Sequence, residues 1–174
     1  MIRLAFDIDG VLYDFHRSLY DELVALWGLD VDYDTFWTKT INEISKLESD
    51  NLMEMAPFYC NAVPDKAIIE TVNTFAKRFG EVWYITARPE SVRFATINSF
   101  RKWGFPNIDN IYFTDEKYRL AKELKLDIFV EDRSKYALKM KDVCKVYLVA
   151  KPWNVDVRDQ FEVINSVTDL LNIL

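Results

Sequence analysis

The sequence predicts an α/β fold: a Rossmann-like parallel five-stranded sheet with helices on both faces and a small helical cap inserted after strand 1. Five short apolar runs carry the sheet: Ile2–Phe6, Val82–Ile85, Ile111–Phe113, Ile128–Val130 and Val146–Val149. They are rich in β-branched and aromatic residues, the composition of strands buried on both faces. Helical stripes lie between or after them: Ile68, Val72, Phe75 and Phe79; then Val92, Thr96, Phe100 and Trp103; and finally Phe161, Ile164, Val167, Leu171 and Leu174. The third observation is an interruption, because no strand pattern appears between Asp14 and Ala62.

Taken in order, strand 1 is followed by two helical stretches. One runs from Phe15 to Trp27 with Gly28 as its stop, and the other from Thr35 to Leu47 behind Asp34 as its cap. Pro64 and Pro89 stand where later helices should begin, and Gly80 and Gly104 where they should end. Strand and helix then alternate, which implies parallel pairing through right-handed crossovers. The domain expectation is a core made of residues 1–14 and 63–174, with residues 15–62 as the cap.

The 174 residues, half of them hydrophobic, are enough for one well-filled core, and they exclude a globally disordered chain. There are 22 basic and 28 acidic residues, a net charge of −6, with no basic run. That balance argues against an electrostatic grip on polymeric nucleic acid. Cys60 and Cys144 lie far apart without a metal-binding spacing, and read as inert thiols. The opening MIRLAF has no leader pattern, and no run approaches the ~18 apolar residues of a membrane span. The expectation is a cytoplasmic protein without membrane contact; its oligomeric state is open, a homodimer being one option.

Ligands of open parallel sheets bind at the carboxyl ends of strands. Those ends carry Asp7-Ile8-Asp9-Gly10-Val11, Thr86-Ala87-Arg88-Pro89, Thr114-Asp115-Glu116-Lys117 and Glu131-Asp132-Arg133. Asp7, Asp9, Glu131 and Asp132 would crowd together, and two like charges ~4 Å apart repel by about 4 kcal/mol at an effective dielectric of about 20. A bound cation relieves this, and hard oxygen ligands without His or Cys select Mg²⁺, an ion that commonly takes a phosphate oxygen as well. Lys117 and Thr86 offer a charge and a hydroxyl to that phosphate, and the amides of the Asp7–Gly10 turn can approach it. Asp7 then reads as a nucleophile toward phosphorus, and Asp9 as the acid and base, its proton kept by a dry lid.

In this order the motifs resemble the haloacid dehalogenase superfamily of phosphohydrolases over nearly the whole chain. More narrowly, Asp7-Ile8-Asp9-Gly10-Val11-Leu12-Tyr13-Asp14-Phe15, Ile85-Thr86-Ala87-Arg88-Pro89 and Lys151-Pro152-Trp153-Asn154 look like the 5'(3')-deoxyribonucleotidases. The resemblance implies a Mg²⁺-dependent hydrolase of nucleoside monophosphates working through an aspartyl-phosphate. It implies Asp7 as nucleophile and metal ligand, Asp9 as acid and base ligating through its carbonyl, Asp132 as a ligand with Glu131 close by, and Thr86 and Lys117 at the phosphate. Phe15 would line the base pocket. Ala87 stands where mammalian members have Ser, and Arg88 is expected at the phosphate in compensation; Glu131-Asp132 stands where they have two Asp.

Trp27 and Trp37 are further candidates for stacking a base, although aromatics at helical spacing usually pack the core. His16 reads as structural or solvent-facing. Three other functions compete: a phosphatase of the same type on another small phosphoester or a 3'-phosphate nucleic-acid end, a phosphoacceptor module, and a nucleotide-binding module without catalysis. A receiver-type phosphoacceptor would carry its Asp after the third strand and its Lys after the fifth. An NTPase reading lacks the G-x-x-x-x-G-K-[ST] loop.

Overall fold

The computed structural model describes residues 2–28, 30–39, 59 and 62–174. Its strands are β1 (Leu4–Phe6), β2 (Val82–Thr86), β3 (Ile111–Phe113), β4 (Ile128–Glu131), β5 (Lys145–Val149) and β6 (Glu162–Ile164). All pair in parallel in the order β3-β2-β1-β4-β5-β6. The chain builds outward from β1 to β3 and then resumes on the other side at β4. A crevice for ligands therefore opens between the ends of β1 and β4.

The sheet has six strands, not the expected five. Phe161 to Leu174 was expected as one helix. Instead Glu162–Ile164 pairs with β5, and Val167–Asn172 forms a separate 3-10 turn. The break lies at Asn165-Ser166. The Asp169 carboxylate accepts from both of their amides, at 2.8 and 3.2 Å, while the Ser166 hydroxyl accepts from Thr168 N. This reciprocal cap starts a new element in the middle of the apparent stripe.

Alternation along the strands splits the core into two layers. Leu4, Phe6, Tyr84 and Val130 point toward α2 (Lys66–Phe79), α3 (Arg93–Trp103) and the C-terminal turn; Ala5, Ile85, Phe129 and Leu148 point toward α4 (Lys117–Glu123) and α5 (Ser134–Met140). The stripe Val72, Phe75 and Phe79 is buried as expected, and α2 starts behind Asp65, whose carboxylate accepts from Ala67 N. After Pro89 a 3-10 turn, Glu90–Val92, leads into α3.

In the inserted stretch, α1 (Phe15–Trp27) ends at Gly28 as the sequence predicts. The next helical stretch covers 33–39, two residues earlier than expected at its start. Asp32 caps it, accepting from Thr35 N at 2.9 Å, in place of Asp34, and so Tyr33 enters the helix and packs edge-on to Tyr20. The remainder of the expected Thr35–Leu47 helix, from residue 40, lies outside the described residues, as does Cys60. Phe15, Leu19, Trp37 and Tyr59 form a third apolar cluster, seated on Val92 and Trp153 of the core. Among the described residues, no helix is long and apolar enough to cross a membrane.

Candidate active site

Four chain segments deliver the site. Asp7 continues the β1 ladder, its amide donating to Val130 O at 2.9 Å. Glu131 ends β4 with Asp132 next to it, Thr86 ends β2, and Lys117 opens α4. All five side chains are buried, Lys117 at 1% exposure and Glu131 and Asp132 at 0%. Asp7, Thr86 and Lys117 help to line a cleft of about 520 Å³, within the roughly 300–1,000 Å³ of small-molecule sites, and Glu131 and Asp132 lie against Asp7.

Lys117 Nζ lies 2.9 Å from Asp7 Oδ1 and 2.9 Å from Glu131 Oε2. Burial alone would lower the ammonium's pKa, but the charges of Asp7 and Glu131 outweigh it and hold it above the usual range. Asp7 Oδ1 also accepts from Ile8 N at 2.7 Å, whereas Oδ2 takes no hydrogen bond among the described residues. Burial, followed by the charge of Glu131, raises the Asp7 carboxyl well above its ordinary value against the pull of Lys117. Glu131 is fully engaged, because its Oε1 accepts from the amides of Asp132 and Arg133 at 2.9 and 3.0 Å. Its placement makes it the anchor of Lys117 and of the β4 turn.

Oxygens of Asp7, Glu131 and Asp132 all lie within 4.8 Å of one another. Three carboxylates stand around the one described ammonium in contact with them, with Arg133 and Lys151 acting on Asp132 from farther off, a crowding of negative charge that suits a cation. Asp132 Oδ2 accepts from Trp153 Nε1 at 3.1 Å, but its Oδ1 is buried without a partner. Burial and the charge of Asp7 push the Asp132 carboxyl up to about 6. A buried, unpartnered carboxylate oxygen is costly unless something positive meets it. The residues therefore fit a hard cation, with oxygen donors only.

Gly10 makes this arrangement fit. Its φ is +81°, and a Cβ added there would stand 2.1 Å from Asp132 Oδ2. Gly10→Ala is expected to lower stability by about 2–4 kcal/mol, through the left-handed backbone and the overlap. The urea unfolding midpoint would read this, and an unchanged midpoint would mean that the close approach does not exist.

Asp9 sits apart from the three-carboxylate cluster. Its carboxylate lies in the fork of Arg88, Nε to Oδ2 at 2.8 Å and Nη2 to Oδ1 at 2.6 Å, while Arg88 Nη1 donates to Thr96 Oγ1 at 3.0 Å. Arg88, expected at the phosphate, lines the same cleft, but its guanidinium is buried and engaged by Asp9, with the rings of Tyr59 and Tyr13 beside it. Thr86 Oγ1 accepts from Arg88 N at 3.1 Å, so its proton remains to donate to an anion. Two of the turn amides offered for a phosphate are consumed locally, that of Ile8 by Asp7 Oδ1 and that of Gly10 by Tyr13 O.

Phe15 lines the cleft as expected, stacked on Tyr59 at 4.7 Å and 11°. Trp37 does not reach it: the ring is fully buried, edge-on to His16 and Phe36 and near Trp153. The side chain of Trp27 lies outside the described residues. Tyr59 and His16 line the cleft although sequence reasoning gave neither a role at the site. His16 is buried, its Nδ1 has no partner, and burial, with Arg133 and Lys151 nearby, holds its pKa well below the usual value. Trp153 and its contact with Asp132 were also missed, although the Lys151–Asn154 motif marked the segment.

No family model matches the chain. It is 29% identical over 168 residues to a Bacillus cereus protein named "Putative nucleotidase", covering 88% of this chain and 84% of that one. It is 28% identical over 148 residues to an Oceanobacillus iheyensis protein with a similar name, covering 76% and 78%. The fold is similar to a Deinococcus radiodurans HAD family hydrolase solved with bound phosphate and sodium, at TM-score 0.67 and 13% identity, over 97% of this chain and 92% of that one.

Proposed function

We propose that this chain, which has the fold of the haloacid dehalogenase superfamily, is a phosphatase-type hydrolase of nucleoside monophosphates. One observation carries the reading: buried Asp7, Glu131 and Asp132 bring carboxylate oxygens within 4.8 Å of one another, Asp132 Oδ1 is unpartnered, and Lys117 lies between Asp7 and Glu131. The names of the two relatives favour a nucleotide, and the phosphate in the Deinococcus structure favours a phosphoryl site.

Asp7 and Asp132 would hold Mg²⁺, which when bound offsets the phosphate charge and polarises phosphorus for attack. Lys117 and the Thr86 hydroxyl would hold the phosphoryl oxygens. Asp7 Oδ2 attacks phosphorus, the bond to the ester oxygen breaks, and an aspartyl-phosphate forms. A monoester entering as its monoanion brings the proton that the leaving oxygen needs, and Asp9 relays it. Asp9, with both oxygens accepting from Arg88, then takes the proton of the water that cleaves the phosphoenzyme. The inserted helices act as the lid, and the Phe15–Tyr59 wall stacks the base for about 1–3 kcal/mol. The net charge of −6 favours mononucleotides over polymers.

Phosphate release from a panel of deoxy- and ribonucleotides, 5' and 3', with p-nitrophenyl phosphate and sugar phosphates beside them, tests the reading. Mg²⁺-dependent turnover is expected to favour nucleotides; preference for a sugar phosphate would overturn the substrate class. Protons compete with the ion at Asp132, whose carboxyl is raised to about 6. The Mg²⁺ concentration for half-maximal release should therefore rise as pH falls from 7 to 5.

A further inference from the structure

Trp153 joins two regions that the mechanism treats separately. It lies in the turn Pro152–Gln160 after β5, and its indole Nε1 donates both to Asp132 O at 3.2 Å and to Asp132 Oδ2 at 3.1 Å. Its neighbour Asn154, fully buried, donates through Nδ2 to Asp132 O and to Val149 O, each at 2.8 Å. Asn154 Oδ1 in turn accepts from Lys151 N and Arg158 Nε, so the turn is braced from both sides. Asp132 Oδ2 is thereby held between the Trp153 N–H and the bare Cα of Gly10, and Oδ1 alone is left for a cation.

The other side of the same indole faces the inserted helices. The His16 ring lies 4.3 Å from it and the Trp37 ring 5.8 Å, centroid to centroid. His16 also lines the cleft next to Phe15. Moving the inserted helices must therefore move, or unload, the group that orients a cation ligand.

We infer that Trp153 is a positioning residue that selects which oxygen of Asp132 meets the divalent cation and couples that choice to the seating of His16 and Trp37. The inference rests on the reading above, that a divalent cation binds at Asp7 and Asp132. A partner that orients a ligand carboxylate typically changes metal affinity by about 10–100-fold. Coupling is reciprocal: whatever presses His16 against Trp153 should tighten the metal site, and a bound metal should steady the inserted helices.

The test is equilibrium binding of Mn²⁺ to the whole chain, followed by the electron paramagnetic resonance signal of the free ion, with thermal melting as the control for folding. Trp153→Phe keeps a ring against His16 and removes the N–H. It is expected to weaken Mn²⁺ binding about tenfold. The variant should need correspondingly more Mg²⁺ for half-maximal phosphate release yet approach the wild-type rate at saturation, which a merely structural role would not produce. His16→Ala touches no carboxylate of the site and is expected to weaken Mn²⁺ binding several-fold, an independent route should Trp153→Phe fold poorly. Unchanged Mn²⁺ affinity in a folded Trp153→Phe would overturn the positioning role, and unchanged affinity in His16→Ala would overturn the coupling. Wild-type protein that binds no Mn²⁺ would instead sink the metal-site reading itself.

Discussion

Asp7→Asn is expected to lower phosphate release by about 10³-fold or more while leaving the fold intact. An amide has no anionic oxygen to attack phosphorus, and of the other two carboxylates in the cluster Asp132 alone keeps an unpartnered oxygen, Oδ1, which the proposal gives to the cation. Glu131 is occupied by Lys117 and two amides, and Asp132 Oδ2 by Trp153. Stability should change little, because Asn keeps an acceptor for the Ile8 amide and for Lys117, while the substitution removes a carboxyl whose pKa burial has already raised. Far-ultraviolet circular dichroism and a melt, run beside single-turnover phosphate release, separate the two effects. A folded Asn variant that retains a tenth of wild-type turnover would require a different nucleophile.

The convergence of Asp7, Lys117 and Asp132 was legible because it follows from position alone. Each residue stands at the carboxyl end of an apolar run or at the start of the helix behind one, and parallel pairing brings such ends together. Contacts that depend on side-chain reach were not legible. Arg88 meets Asp9 across 79 residues of chain, and Trp153 meets Asp132 across 21. Neither contact leaves a periodic trace. A guanidinium near a phosphate motif suggests an anion, and only the coordinates show that the anion is a carboxylate of the protein itself.

Aromatic residues of the insert posed a related problem. Phe15 and Trp37 both suit a base pocket by residue type, yet the side that α1 presents to the cleft carries Phe15 and His16, while Trp37 closes the cluster behind them. Helical periodicity places residues on faces without saying which face meets the ligand. The sixth strand was hidden for the same reason. Phe161, Ile164 and Val167 fit a helical repeat, and the edge strand Glu162–Ile164 buries only Ile164, too little alternation to read as β. The Ser166-x-x-Asp169 box was the signal that could have divided the segment.

Lys117→Met should produce the largest loss of stability at the site, about 3–5 kcal/mol, because it removes the ammonium shared by two buried carboxylates. Met approximates the side-chain volume and can still pack near Phe129 and Tyr136, whose rings lie 5.8 and 4.4 Å from the ammonium. The loss is therefore electrostatic, and two measurements separate it from packing. First, the double variant Lys117→Met with Glu131→Gln removes one of the orphaned charges and should recover part of the urea midpoint, whereas a packing defect would leave the second substitution additive. Second, a divalent cation supplies positive charge at the same carboxylates, so millimolar Mg²⁺ or Mn²⁺ should raise the melting temperature of Lys117→Met more than that of the wild type. Phosphate release should stay low even with the fold restored, since the phosphoryl oxygens would still lack their ammonium. A Met variant with wild-type stability would mean that Asp7 and Glu131 do not depend on Lys117, and the crowding of negative charge argued for the cation would fail with it.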